Sequence, residues 1–513
     1  MADRLYTSQE ADEYINGLRM ESKLEKAILN RIAFTISLIT TGKDVPKSVN
    51  FSGGELKRPT FFKEDEAFIQ TLIAYVYKFN AFSEDELFSN NSVIKNHIDN
   101  GAKILWDLFV ENGHDITRWY TALVEKIDLK DAKEKLTKDL DIFIGRNVLS
   151  NEPLLMEINN TQKHANSHMA IMGKPGVGKT QFLLKILTDI RIQSNYQTNF
   201  IFFDYKGDVV DNESFIDNTR ARTFRLLQSS ESLPINPFVL PSYDEQSIQV
   251  SAREKAESFA SIDSRFGVVQ KGTLTESIMA AYAKRASSNE HPYPDFQDVL
   301  EIASLSYEEE GKRDDTLIEV LRDLANFNLF WSHGHNIQPI DKPIDKLAER
   351  TMIIDVHAMP VLKELVGYLV IERLYKEMAK LPDSPIKDGK RTLRTILVID
   401  EAHNYLSQKN IFLQRIIREG RSKGIVVFFA SQSPNDYQQK FFNFQELLEF
   451  AYIFQSEGIS ASSIQDILGC SNRTARDLQS EIARLEPFQI ISRSDVKTEE
   501  FVKFRGEMFF NNY

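Results

Sequence analysis

The chain of 513 residues contains one cysteine, Cys470. A single thiol cannot build a disulfide framework, a zinc ribbon or an iron–sulfur site from this chain alone, so a reducing, cytoplasmic setting is expected. No apolar run reaches the roughly 20 residues that a membrane helix needs. The opening "MADRLYTSQEADEYING" is polar and acidic, unlike a signal peptide, and no membrane partner is expected. Internal repeats and long low-complexity segments are lacking too. Positive charge is in deficit, with 62 Lys and Arg against 74 Asp and Glu, which taken alone argues against nucleic-acid binding. The deficit is uneven. Between Arg19 and Lys63, nine basic residues (Arg19, Lys23, Lys26, Arg31, Lys43, Lys47, Lys57, Arg58, Lys63) face four acidic ones (Glu21, Glu25, Asp44, Glu55). A solvated helix face and a phosphate-contacting patch explain this local surplus equally well. What the chain has in plenty is apolar residues, 42% against 27% charged, enough for a large globular core in about two to four domains.

The most informative stretch is "HMAIMGKPGVGKTQFLLKIL", His168 to Leu187. It carries G-x-x-x-x-G-K-T from Gly173 to Thr180, after the strand-like run Met169–Met172 and before a helix-like apolar run. That is the context of a phosphate-binding loop. Backbone N–H groups of Gly173, Lys174, Pro175-Gly176, Val177, Gly178, Lys179, Thr180 and Gln181 would surround nucleotide phosphates at a helix N-terminus, proline excepted. Lys179 would reach the β- and γ-phosphates and Thr180 would hold Mg²⁺, with ATP or GTP as the nucleotide.

Residues 1–112 read as a small, mainly helical unit, with helical spacing in Tyr14–Ile39, Glu66–Phe79 and Val93–Phe109. Residues 113–140 are charged and periodic, a connecting helix. Short strand-like runs follow in 141–159, and buried strands ending in polar turns are expected within 199–208, 350–360, 394–406 and 424–434, with helices between them. Strands alternating with helices make an α/β domain over 141–513, its mostly parallel sheet covered on both faces. A charged helical insertion occupies about 251–345.

"ILVIDEAH" is a strand ending in Asp400 and Glu401. Asp400 would orient Mg²⁺ through its water shell and Glu401 would polarise the attacking water; in isolation a strand-end helix cap explains the pair equally well. The next strand, "IVVFFASQ", ends at Gln432, placed to sense the γ-phosphate or the water. In and just before "IIREGRSKG" (Ile416 to Gly424), Arg415, Arg418 and Arg421 share one helix face. Arg421 first and Arg418 second are candidates to stabilise transition-state charge on a neighbouring subunit, against the plain alternative of a solvated basic face. "FDYKGD" (Asp204, Lys206, Asp208) either lines the nucleotide or a subunit boundary, or is a simple turn. His403 could couple hydrolysis to motion or hydrogen-bond at a helix start, and His168 could merely end a strand.

Taken in order, "IGRNVLSNEPLLMEIN", "HMAIMGKPGVGKT", "FFDYKGD", "INPF", "MIIDVHAM", "LVIDEAHNYL" and "REGRSKGIVVFFASQSP" resemble the HerA/FtsK clan of DNA-pumping ATPases, the HerA-like branch most of all, over roughly residues 140–513. The resemblance implies a RecA-like P-loop core, ATP with Mg²⁺, a hexameric ring and ATP-driven movement along double-stranded DNA. "DEAH" also occurs in helicases with tandem cores, but about 220 residues separate Lys179 from Asp400 and no second core follows. The N-terminal β-barrel of HerA proteins is not evident. In its place "ILNRIAFTISL", "FSGGE" and "NHIDNGAKIL" resemble the DNA sulfur-modification family DndE over about residues 14–110. That family implies a small DNA-binding domain with a preference for nicked duplex, tetrameric assembly, and partners among DNA sulfur-modification or defence proteins. Its basic first-helix cluster is diluted here to Leu18-Arg19-Met20-Glu21-Ser22-Lys23. The expected function is a DNA-dependent ATPase or translocase in phosphorothioate modification or associated genome defence. The alternative is an ATP-switched assembly protein that does not translocate. A homo-oligomer is expected in either case, hexamer favoured over tetramer.

Overall fold

Helical spacing near the N-terminus resolves into two helices rather than one. Gln9–Ser22, capped by the Ser8 hydroxyl, ends at Lys23 with φ 59, and Lys26–Thr40 follows. The computed structural model describes residues 3–512 apart from 64, 78–81, 117–118, 121, 124–138, 228–231, 241–242, 264, 287–292, 333–345, 360–361 and 495–499. The predicted connecting helix 113–140 therefore lies largely outside the described residues. The chain divides into two compact units, Met1–Lys135 and Leu136–Tyr513.

In the smaller unit the longest helix, Val93–Glu111, crosses Lys26–Thr40 at Gly101. A Cβ there would lie 1.8 Å from the Ala33 carbonyl oxygen, so only glycine lets these backbones meet. The short strands Arg4–Tyr6 and Glu55–Lys57 pair antiparallel, which seats the glycines of "FSGGE" against the start of the first helix. Buried Lys95 and Asp99 form an ion pair of 2.7 Å that Ser48 joins by hydrogen bonds. Of the nine basic residues noted above, three are committed locally: Lys26 to Asp12, Arg31 to Asp65 and Arg58 to Glu66.

The larger unit is built on one eleven-stranded sheet. In chain order its strands are β1 (Asp141–Asn147), β2 (Pro153–Glu157), β3 (Met169–Met172), β4 (Asn199–Asp204), β5 (Arg222–Arg225), β6 (Met352–Asp355), β7 (Thr395–Ile399), β8 (Ile425–Ser431), β9 (Phe450–Ile453), β10 (Gln489–Arg493) and β11 (Phe501–Gly506). Their spatial order is β2-β1-β11-β10-β9-β3-β8-β7-β4-β6-β5. From β9 to β5 all pairings are parallel, and from β9 to β2 all are antiparallel. Alternate residues of the parallel strands enter two separate cores. Met172, Ile201, Phe203, Leu397 and Val427 face one. Ile171, Phe200, Phe202, Val398 and Phe428 face the other. Burial on both faces is why these strands read as unbroken apolar runs. The antiparallel wing formed by β10 and β11 carries no such run, and β11 mixes charged with apolar residues without a clear period, so the sequence reading missed it.

Among the described residues four helices, Glu245–Ile262, Val268–Arg285, Phe296–Glu309 and Thr316–Asn326, form the insertion between β5 and β6. Buried Lys255 pairs with buried Glu372 at 2.9 Å, which ties the first of them to the core helix Lys363–Met378. The "INPF" stretch anchors the same insertion: Asn236 Nδ2 donates to Pro294 O at 3.0 Å, and Tyr282 donates its hydroxyl to Phe238 O. Among the described residues no helix is long and apolar enough to cross a membrane.

His168 does more than end a strand. Its Nδ1 accepts the Val427 N–H at 3.0 Å and its Nε2 donates to Ile417 O at 2.9 Å, joining β3 to β8 and to the helix Ile411–Lys423. Burial pulls the imidazole down to about 4, against a smaller opposing pull from the Ile417 carbonyl. In the unfolded chain it titrates near 6.5. Between those values the unfolded state binds a proton that the native state refuses. Stability is therefore complete above about pH 6.5 and falls as the pH drops towards 4, by about 3 kcal/mol at most. In urea unfolding, His168→Gln should be less stable than wild type at pH 7.5, with the gap narrowing by pH 4.5. A gap that stays constant across that range contradicts this account.

Candidate nucleotide site

β3 delivers the chain to Gly173, and the loop ends where the helix Lys179–Gln193 begins. Two glycines are sterically required. A Cβ on Gly173 (φ +155) would meet Phe454 Cβ at 2.6 Å, and one on Gly178 (φ +106) would meet Phe488 Cδ1 at 2.6 Å. The loop backbone is gripped from both sides. Gly173 N–H donates to Ser431 O (3.2 Å), Lys174 N–H to Gln455 O (2.9 Å), and Phe488 N–H to Val177 O (3.1 Å). Val177 is buried as an anchor, while Pro175 and Gly176 form an exposed crest. Lys179 Nζ donates to the carbonyls of Gly173 (2.6 Å) and Lys174 (3.0 Å). Burial lowers its pKa and Lys206 adds to the effect, while Glu401 and Asp400 oppose it. Thr180 and Gln181 lie half-buried on the first helical turn.

Asp400 follows β7, the second strand along from β3 in the sheet. It is buried, and its Oδ2 has no hydrogen-bond partner among the described residues. The nearest cation is Lys206 Nζ at 3.9 Å. Burial pushes the carboxyl up to about 7, and Lys206 only partly offsets this. Glu401 adopts φ +49, a left-handed conformation that costs a non-glycine residue about 1 kcal/mol. Its Oε1 lies 2.5 Å from Lys206 Nζ. Its Oε2 accepts from Gln432 Nε2 at 3.2 Å and lies 3.4 Å from His403 Nδ1. Burial raises the Glu401 pKa, but Lys206 and Gln432 outweigh it and the net shift is downward. The acidic pair is not a helix cap: the next helix, His403–Leu406, starts after Ala402 and has no side-chain cap bond.

Lys206 reaches the pair because of Asp204. That buried carboxylate accepts the backbone N–H groups of Lys206 (3.2 Å), Gly207 (2.9 Å), Val209 (2.9 Å) and Val210 (2.8 Å). "DYKGD" is thus a turn whose purpose is to present Lys206, with Asp208 left exposed. At the end of β8, Ser431 donates its hydroxyl to Asp436, whose carboxylate also accepts the Ser433 N–H at 3.0 Å. That fixes the turn carrying Gln432.

The arginines are not brought to this loop. The helix Ile411–Lys423 runs antiparallel to β8, so Arg421 sits at the start of the strand and Gln432 just past its end. Seven strand residues separate them, roughly 20 Å at about 3.3 Å per residue. Arg418 stacks over Phe442 (4.7 Å) and Arg415 over Tyr375 (5.5 Å). Arg421 is exposed, and its guanidinium makes no hydrogen bond or ion pair among the described residues. Sequence reasoning missed Phe454, Phe488 and Asp436, which shape the loop and its neighbour. None stands in a recognisable motif.

The donor set fits a magnesium nucleotide: glycines a Cβ would clash with, a buried lysine at the loop, and a buried carboxylate oxygen without a partner. A separate groove of about 770 Å³ runs across one side of β9, β10, β11, β1 and β2 and includes no residue of the loop. Residues 142–378 match the family model for the central domain of the helicase HerA, and residues 4–110 match that for the DNA sulphur modification protein DndE. The larger unit carries a HerA-type P-loop ATPase domain. Such a site takes ATP with Mg²⁺. Solved structures similar to the chain include VirB4 of Thermoanaerobacter pseudethanolicus, at 16% identity and a TM-score of 0.55, covering 72% of this chain and 96% of that one. The plasmid coupling protein TrwB in complex with ADP and Mg²⁺ aligns at 14% identity and a TM-score of 0.47, covering 74% and 92%. A comparison with curated proteins finds no significant match. The likeness to VirB4 is one of fold, and the core is RecA-like, preceded by a small, mainly helical unit that matches the DndE model.

At pH 8, above its shifted pKa, Asp400 places a buried charge on the native state that no hydrogen bond on Oδ2 offsets. Asp400→Asn should raise the thermal midpoint of the metal-free protein by about 2 °C or more and abolish the extra stabilisation that ATP gives when Mg²⁺ replaces EDTA. Thermal unfolding with and without Mg²⁺ reads both effects. A variant that keeps the full Mg²⁺-dependent shift would remove Asp400 from the metal's surroundings.

Proposed function

We propose that the protein is a DNA-dependent ATPase that couples ATP hydrolysis to binding or movement of double-stranded DNA, in phosphorothioate modification or associated genome defence. The observation that carries the hydrolytic half is the convergence of Lys179, Lys206, Asp400, Glu401 and Gln432 on one loop. Bound Mg²⁺ would neutralise phosphate charge and hold the β- and γ-phosphates in register. Thr180 and Asp400 are the residues that would hold it. Lys179 would leave the Gly173 and Lys174 carbonyls for the phosphates. Glu401 would accept a proton from the attacking water, and Gln432, already on its Oε2, would orient that water. Arg421, about a strand's length from its own loop, would act in trans, with Arg418 as the second candidate. Each would need a homo-oligomer, hexameric or tetrameric, to reach a neighbour's nucleotide.

The DNA half rests on the family likenesses of the two units. Residues 1–112 would recognise or position the duplex, nicked DNA included, with 113–140 as connector and 141–513 as motor. Other sulfur-modification or defence proteins would be its partners, and a cytoplasmic location fits them. The Lys206–Glu401 ion pair of 2.5 Å supports a second reading. A glutamate so engaged binds nucleotide next to it without activating water, as an ATP-switched assembly protein would require.

Glu401→Gln should lower ATP turnover by at least about 100-fold while ATP binding survives. Duplex DNA should stimulate the wild type, with an affinity that falls steeply with salt. Unchanged turnover in Glu401→Gln sinks the hydrolytic assignment. Negligible wild-type turnover together with nucleotide-controlled partner binding favours the assembly reading. Arg421→Ala should abolish turnover and, mixed with wild type, depress it by more than simple dilution. Turnover equal to dilution rules out a contribution in trans.

A further inference from the structure

A pair of aromatic rings beside the phosphate loop has no part in the scheme above. The chain enters β10 through Phe488, whose φ of +67 is rare for an aromatic residue. Its backbone is held at both ends: its N–H donates to Val177 O at 3.1 Å, and its carbonyl accepts the Gly506 N–H at 2.9 Å. Strain over-determined in this way collects at functional sites. Its result is a half-buried ring laid against Gly178. The ring of Phe510 stands 5.8 Å away, inclined at 68°, and is 55% exposed. That exposure is not fraying. Phe509 is buried against Phe215 (5.8 Å), and Asn512 Nδ2 donates to Met508 O at 3.0 Å, so the segment is fixed on both sides of Phe510.

Topology says what these rings face. Beyond β3 the sheet continues on one side through β8, β7 and β4, and on the other through β9 and β10. Gln432, Asp400, Glu401 and Lys206 all belong to the first side. A triphosphate on the loop has its γ end there, so its nucleoside end leaves towards β9 and β10, where Phe488 and Phe510 stand. We infer that Phe510, backed by Phe488, is the platform on which the base of a purine nucleoside triphosphate stacks. This rests on reading residues 173–180 as the nucleotide site. Stacking uses the π-face that every base has, so the platform grips the ring without selecting adenine over guanine.

Steady-state turnover of the full chain with ATP and with GTP tests the inference, with inorganic tripolyphosphate as a competitor that has no base. Phe510→Ala should raise KM for both nucleotides by about 5- to 100-fold, with kcat within about twofold. It should leave inhibition by tripolyphosphate unchanged, and Phe510→Trp should return KM to near the wild-type value. An unchanged KM in Phe510→Ala overturns the platform. So does an equal weakening of tripolyphosphate, which reports a loss of loop geometry rather than of a base contact. Wild-type protein that turns over neither nucleotide overturns the hydrolytic reading alone; equilibrium ATP binding then tests the platform, and a Kd unchanged by Phe510→Ala overturns it.

Discussion

The site depends first on the grip that neighbouring strands keep on the backbone of residues 173–180. Three main-chain hydrogen bonds, from Gly173, Lys174 and Phe488, hold the loop to the last residue of β8, to the turn after β9 and to the residue before β10. A loop with three left-handed glycines has every entropic reason to wander. Its order comes from outside itself. The helix that follows the loop adds its positive end.

Charge is the second constraint. Lys179 and the more exposed Lys206 stand against buried Asp400 and Glu401, so the site is close to neutral before any ligand arrives. Neutrality is not comfort, however. Asp400 is pushed towards protonation by burial, and Lys179 towards deprotonation. Each group is in the wrong environment for an apo protein and the right one for a magnesium triphosphate, which brings both the cation and the anions that these side chains lack. The strained Glu401 backbone points the same way, since a non-glycine residue in the left-handed region persists only where its surroundings hold it.

Local chemistry was legible in the sequence; long-range packing was not. Gly173–Thr180 could be read because the motif states its own conformation. Asp400-Glu401 and Gln432 could be read because each ends an apolar run buried on both faces. Lys206 was visible only as part of "DYKGD", and nothing in those letters said that Asp204 would collect four N–H groups so that Lys206 could reach Glu401. Phe454 and Phe488 were invisible, since a phenylalanine against a glycine about three hundred residues away leaves no local pattern, and Phe510 stands in no motif. The break at Lys23 was missed because helical periodicity runs through it unchanged. The antiparallel wing was missed for a different reason: its strands are too short and too mixed to alternate clearly.

The sheet order has a kinetic consequence. Met169 of β3 pairs with Phe428 of β8 and with Phe450 of β9, partners about 260 and 280 residues later in the chain. While the protein is being synthesised, the loop strand therefore emerges with both of its edges bare. It stays so until most of the polypeptide is out. The four-helix insertion made in the meantime can fold largely through contacts among its own consecutive helices, whereas the nucleotide site cannot. Catalytic competence is thus among the last properties this chain acquires as it folds. A nascent chain stalled before β9 would present an apolar, hydrogen-bond-hungry edge, a ready target for chaperones.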